Sequence, residues 1–238
     1  RLTNAAKIYI GNGGMTSVGS LNTKTIVLSP SGIFGAQADW VGTEPIILAG
    51  GTFDCANLDG TPHNITISGV ISGGSALNKT GAGTLTLDGA NTYSGNTVIS
   101  QGKLVVGASG SLPNSPQIIV GAGTTFDVSA AVGFTLGSAR TLAGDGTVVG
   151  EVAVDSGGII SPGTSVGTLT LSDSLTMNGG AVARFELPTT PGPGNDFLII
   201  NGDLNASGVN TIEIVGGEPG AVHTLIQYGG TFNGDLAN

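Results

Sequence analysis

Apolar and polar residues alternate in short runs along this chain, and nearly every run ends at a Gly, Asn, Ser or Asp corner. Period-two runs of this kind, rich in Thr, Val, Ile and Leu, predict short β-strands with one buried face. The clearest stretch is 77–106. Its Gly81-Ala82-Gly83 turn precedes an alternating strand over 84–88, and a polar turn over 89–96 leads into Thr97-Val98-Ile99. A second turn, Ser100-Gln101-Gly102, feeds Lys103-Leu104-Val105-Val106. Three short strands between such corners cannot bury their apolar side chains alone and need the same unit stacked above and below. The predicted fold is all-β, a single-stranded parallel β-helix, or β-solenoid.

Looser versions of the unit fill the rest of the chain. Runs at 7–10, 24–28, 45–49, 117–120 and 144–154 read as strands, and 64–71 alternates with Ile65, Ile67 and Val70 facing inwards. Over 31–41 the pattern weakens, and Trp40 reads as a packing residue at the solenoid edge. A Gly-Thr phrase leading into an apolar residue, directly or at Gly123 after a second Thr, recurs at Gly51, Gly83, Gly123, Gly167 and Gly230, at gaps of 32, 40, 44 and 63 residues. That irregularity excludes a propeller, whose blades keep a steady period, and suits coils of about 20 residues with loops of varied length. Pro188, Pro191 and Pro193 cannot lie within a central strand. The chain is therefore read as a β-solenoid over 1–187, with its best repeat at 77–106. The remainder, 188–238, is read as a Pro/Gly loop followed by terminal coils or a capping β-sheet, built from runs at 196–200, 209–215 and 221–228.

The stretch 77–106 also resembles a known family, the autotransporter-associated β-strand repeat of secreted and surface-exposed bacterial β-helix proteins. The match is carried by Leu77, by the run from Lys79 to Leu87 (KTGAGTLTL), by Gly89 to Gly95 (GANTYSG) and by Gly102-Lys103-Leu104-Val105-Val106. The run Ser161-Pro162-Gly163-Thr164, continuing to Leu171, is similar to segments found downstream of such repeats. The resemblance implies a right-handed coil and an extracellular or cell-surface setting.

Composition narrows the function classes. Gly reaches 43 of 238 residues without a G-X-Y period, which excludes collagen, and 39% hydrophobic content excludes a disordered linker. Seven Lys and Arg against a net charge of −9 cannot form the basic stripe that nucleic acid requires. No apolar run approaches the roughly 18 residues of a membrane helix, so no membrane insertion of this segment is expected. Cys55 is the only cysteine, so no disulfide forms within the chain, and it reads as a small buried hydrophobe.

Candidate chemistry is sparse. The densest polar cluster is Asp54, Asn57, Asp59 and His63, in a corner with Gly60 and Pro62, and it reads as Asx-turn bonding. Asp145 and Asp155 sit in Gly-rich turns without the tandem nonapeptide of calcium-binding repeats. His63 and His223 lack zinc-ligand spacing, and no GxSxG nucleophile elbow is present. Asn64, Asn78 and Asn205 begin N-glycosylation sequons. No catalytic, cofactor-binding or metal residue and no cofactor is assigned.

These readings favour a non-catalytic extracellular scaffold or fibre subunit that associates with itself through its end coils. The alternative is the stalk of an autotransporter-like adhesin facing a host surface or glycan. A polysaccharide-acting β-helix enzyme, needing Asp54, Asp59 and a basic residue on one face, ranks last.

Overall fold

The structure, a computed structural model, describes residues 7–10, 26–131, 133–188, 194–217 and 222–234. All its described regular elements are strands, and they group into two compact units, 1–118 with 124–131 and 119–123 with 132–238.

In the first unit the chain visits three sheets in turn. It begins with β1 (Lys7–Ile10), β2 (Ile26–Leu28), β3 (Ile33–Ala36), β4 (Trp40–Gly42) and β5 (Ile46–Leu48). It continues with β6 (Thr52–Asp54), β7 (Ile65–Ile67), β8 (Ile71–Ser72), β9 (Leu77–Thr80) and β10 (Thr84–Leu87). Then come β11 (Thr97–Ile99), β12 (Lys103–Val106), β13 (Gln117–Val120), which gives residues to both units, and β14 (Thr125–Asp127). Here β1, β3, β6, β9 and β11 stack as one sheet, β4, β7, β10, β12 and β14 as a second, and β2, β5 and β8 as a third. These pairings are parallel, so each coil lies on the one before it.

The second unit repeats the plan. It holds β15 (Thr135–Leu136), β16 (Thr141–Gly144), β17 (Thr147–Val149), β18 (Val152–Val154), β19 (Ile159–Pro162), β20 (Thr168–Leu171) and β21 (Leu175–Met177). After these come β22 (Val182–Leu187), β23 (Phe197–Ile200), β24 (Leu204–Ala206), β25 (Thr211–Gly216), β26 (Ile226–Tyr228) and β27 (Phe232–Asn233). Its sheets are β16-β19-β22-β25, β17-β20-β23-β26 and β15-β18-β21-β24-β27. The strands β25, β26 and β27 pair in parallel with β22, β23 and β24, in the three-strand order of the coils before them.

Alternation explains the core. In the first unit Leu85, Leu104 and Phe126 lie at register positions one above another and are fully buried. In the second, Leu142 pairs with Ile160 and Ile160 with Ala183, all fully buried. Each added coil removes such side chains from water on both its upper and lower surfaces, which is why one coil alone has no stability of its own.

Three expectations change. The weak stretch 31–41 contains β3 and the start of β4, and Trp40 is an inner-face residue whose ring meets Phe34 edge-on at 5.2 Å. Val70 is exposed, and Ile71 takes the inner position instead, fully buried. The cause is the Ser68-Gly69 corner, where the chain turns between sheets and the period of two restarts; a Cβ on Gly69 would collide with the backbone of Thr43 and Glu44. Finally, the strand read over 221–228 is confined to β26. Residues 24, 25, 221 and most of the Pro/Gly loop, 189–193, lie outside the described residues.

Candidate functional site

The repeat at 77–106 is built around its first turn. Gly81 has φ +73°, and a Cβ there would lie 2.7 Å from the backbone N of Cys55 in the coil before it. A Cβ on Gly83 would strike the carbonyl of His63. Both glycines therefore permit the close approach of successive corners. Cys55 is enclosed by this turn, and burial pushes its thiol up to about 11 despite Lys79 beside it.

Lys79 is the unforeseen residue. It follows Leu77 by two positions on β9, so alternation carries it inwards, between Phe53 and Ile99 in the neighbouring coils. Its side chain is fully buried, and burial lowers its pKa. Its Nζ donates to the carbonyl oxygens of Thr80 at 2.9 Å, Gly81 at 2.6 Å and Gln101 at 2.9 Å. The signal was available in the sequence, because period two marks position 79 as inward whatever residue stands there.

The polar turn over 89–96 is equally committed to structure. Buried Asn91 accepts from Ile71 N and donates to Gly89 O at 2.8 Å. The Tyr93 hydroxyl lies 2.7 Å from Thr97 Oγ1, which in turn lies 2.9 Å from Ser115 Oγ.

Of the cluster, Asp54 ends β6, and Asn57, Asp59 and His63 lie in the loop joining β6 to β7. Asn57 Oδ1 accepts from Asp59 N and Thr61 N, and Asp59 Oδ1 accepts from Thr61 N and Thr61 Oγ1. These are Asx-turn bonds, and the Thr61 hydroxyl holds the Asp59 carboxyl below the usual range. Asp39, which sequence reasoning missed, joins the cluster from the coil before. It accepts from Asn64 N at 2.7 Å and from Asn64 Nδ2, and His63 Nδ1 stands 3.5 Å from it. The Asn64 backbone bond holds the Asp39 carboxyl below its ordinary value. Asn64 Oδ1 then accepts from Thr84 N in the next coil, so the corner is stitched across three coils.

The sequon asparagines also have partners on neighbouring coils: Asn64 on Asp39, Asn78 on Gly51 O and Asn205 on Thr176 Oγ1. Asp155 receives Asn178 Nδ2 at 2.6 Å. Among the described residues no group of three or more His, Cys, Asp or Glu side chains is placed to hold a metal ion.

The terminal strands of the second unit differ from the rest. Ile212 and Ile214 stand at register positions over the fully buried Ala183 and Phe185, yet they are 58% and 43% exposed. They are inner-face residues with no described coil beyond them.

Comparison with known proteins agrees with this build. The passenger-associated-transport-repeat family matches residues 77–106. An adhesin autotransporter, BmaC of Brucella suis biovar 1 (strain 1330), is 29% identical over 187 residues, which is 74% of this chain and 5% of the adhesin. An extracellular serine protease of Serratia marcescens is 32% identical over 140 residues, 59% of this chain and 11% of the protease. The chain thus spans a small fraction of each of these relatives. The residues that match the family are those that build the Gly81 turn, the Lys79 contacts and the Asn91 corner. The chain carries a repeat of the autotransporter-associated family at 77–106, and with it the β-helix build and extracellular setting of that family's secreted and surface-exposed proteins.

Proposed function

We propose that this chain is a non-catalytic scaffold segment of a secreted or surface-exposed bacterial protein, a β-helical stalk of the kind the adhesin relative suggests. One observation carries the reading. The carboxylates and amides of its most polar corner, Asp39, Asn57, Asp59 and Asn64, bond to backbone and to one another across coils. An active site instead aims such groups at an open position. The serine protease relative raises a catalytic alternative, and Asp39 and His63 do stand together. Among the described residues, however, no serine hydroxyl hydrogen-bonds to that histidine.

The test is to incubate the purified chain with casein and with a polysaccharide panel, and to probe the same preparation on a glycan array. Neither cleavage nor saturable binding is expected. Hydrolysis that disappears in Asp59→Asn or His63→Ala would establish an enzyme, and saturable glycan binding a recognition module; either overturns the scaffold.

A second reading is self-association through an end coil, favoured by Ile212 and Ile214 and by Tyr228 on β26, all exposed apolar groups at the last described strands. Among the described strands β25 bonds on one side only, to β22. An open apolar edge of this kind is completed by a further parallel strand, either the next coil of a longer chain or a second copy. Electron microscopy and light scattering at micromolar concentration test it. Filaments or dimers lost in Ile212→Lys support it, and a monodisperse single chain removes it.

A further inference from the structure

The surroundings of Lys79 are those of a bound cation. Its ammonium has three N–H donors, and three carbonyl oxygens receive them, on Thr80, Gly81 and Gln101. No carboxylate lies within ion-pair distance of it among the described residues. The side chain runs through an inner column between Phe53 and Ile99 and is fully removed from solvent. A bare charge in such a place is unfavourable by several kcal/mol or more unless preset dipoles replace its water. Here the dipoles in direct contact are peptide carbonyls, and the Cys55 thiol and the more distant Asp54 carboxylate also favour the charge.

The turns that carry these oxygens have bonds of their own that do not involve the lysine side chain. Gly81 and Gly102 both adopt positive φ, +73° and +66°, which turns the adjacent peptides. Gly81 N donates to Gln101 Oε1, and Ser100 N donates to Lys79 O at 2.9 Å. Cys55 N donates to Thr80 O, fixing that carbonyl from the coil below. One cage oxygen is thus bonded directly from the coil before, and the Gly81 and Gln101 turns that carry the other two are tied to each other across coils.

We propose that the carbonyls of Thr80, Gly81 and Gln101 form a primary-ammonium site whose resident ligand is this chain's own Lys79. The vacated site, in a chain lacking the lysine, takes a free alkylammonium ion of matching length. The ammonium ties the β9 coil to the β11 coil. The run Lys79-Thr80-Gly81 thereby supplies both the ligand and two of its three acceptors.

The experiment uses Lys79→Ala, which removes three methylenes and the ammonium and leaves the outline of n-propylammonium. Urea unfolding is followed at neutral pH and fixed ionic strength, with propylammonium, tetramethylammonium or 1-propanol added. Without additive, the folded-to-unfolded ratio is expected to fall on the order of a hundredfold, because hydrogen bonds to a charged group are lost together. Propylammonium should raise the midpoint progressively with concentration, as a ligand of the folded state does. Tetramethylammonium has no N–H donor and propanol no charge, so neither should match it. Equal restoration by either, or none by propylammonium, overturns the proposal. Should Lys79→Ala fail to fold in plain buffer, its refolding yield with each additive becomes the readout. Lys79→Met, of similar length and uncharged, is an independent control: a variant as stable as the parent also overturns the proposal.

Discussion

The side-chain oxygen of Asn91 stands 2.9 Å from the backbone N of Ile71, in the preceding coil, and accepts its hydrogen bond. At this corner an amide side chain replaces a ladder bond that a strand would otherwise supply. Asn91→Leu leaves Ile71 N–H buried without a partner and Gly89 C=O with only its bond from Ser111 N, and should cost about 1–3 kcal/mol in urea unfolding. Asn91→Asp keeps the acceptor but sets a carboxylate against Gly89 O. Its loss at neutral pH should shrink on acidification, when a protonated carboxyl can donate again. Equal loss at both pH values would mean the amide acts only by shape.

Two glycines separate strain from collision. Gly81 and Gly123 have similar positive φ, +73° and +70°, but a Cβ at 81 would meet the Cys55 backbone and one at 123 meets nothing within 4 Å. Gly123→Ala should cost about 1 kcal/mol, the conformational part alone. Gly81→Ala should lose several-fold more and alter the near-ultraviolet spectrum. Similar costs for the two would show that the corner relaxes.

The Cys55 thiol, fully buried and with its pKa pushed up to about 11 by desolvation, should resist an aromatic disulfide reagent at pH 8. Stoichiometric reaction is expected only in denaturant. Rapid labelling of the native chain would show that the Gly81 turn opens readily.

Lys103 and Asp127 form a 2.6 Å ion pair on β12 and β14. Desolvation opposes the Asp127 charge, but Lys103 and Ser129 outweigh it and hold the carboxyl below its model-peptide value of 3.8. Because the folded pKa is the lower one, the pair contributes fully above that value and is lost as pH falls through the folded pKa. Asp127→Asn should therefore be less stable by about 1 kcal/mol from pH 5 to 7. The gap should close below pH 3.8, as the carboxyl protonates. A gap that persists in acid would assign the loss to the Ser129 turn instead.

Strand and corner were legible in the sequence because both are local. A Gly-Thr opening followed by alternation does mark a strand start, at Thr84 on β10 and at Thr168 on β20. The same phrase opens β6 at Thr52, which lies in a different sheet from β10. Which face a strand joins depends on the lengths of all the loops before it, so no window of sequence contains that information. The error at Val70 has the same origin, since the corner at Gly69 resets the alternation. In the polar corner, Asn57 and Asp59 were readable because an Asx turn is local. Asp39 was not, because it reaches Asn64 only after one full coil, 25 residues along the chain.

Partners on neighbouring coils are separated by about one coil of chain: 20 residues from Ile71 to Asn91, and 29 from Arg184 to Glu213. These contacts form between neighbouring coils and do not wait for distant parts of the chain to meet. Closing a loop of that size costs nearly the same at every step, because the entropy of closure grows only with the logarithm of loop length. Once one coil exists, each newcomer docks on a finished template, and lengthening the chain adds steps without raising the barrier to any of them. Folding of this kind behaves like growth from a seed: nucleation is slow, and extension advances coil by coil.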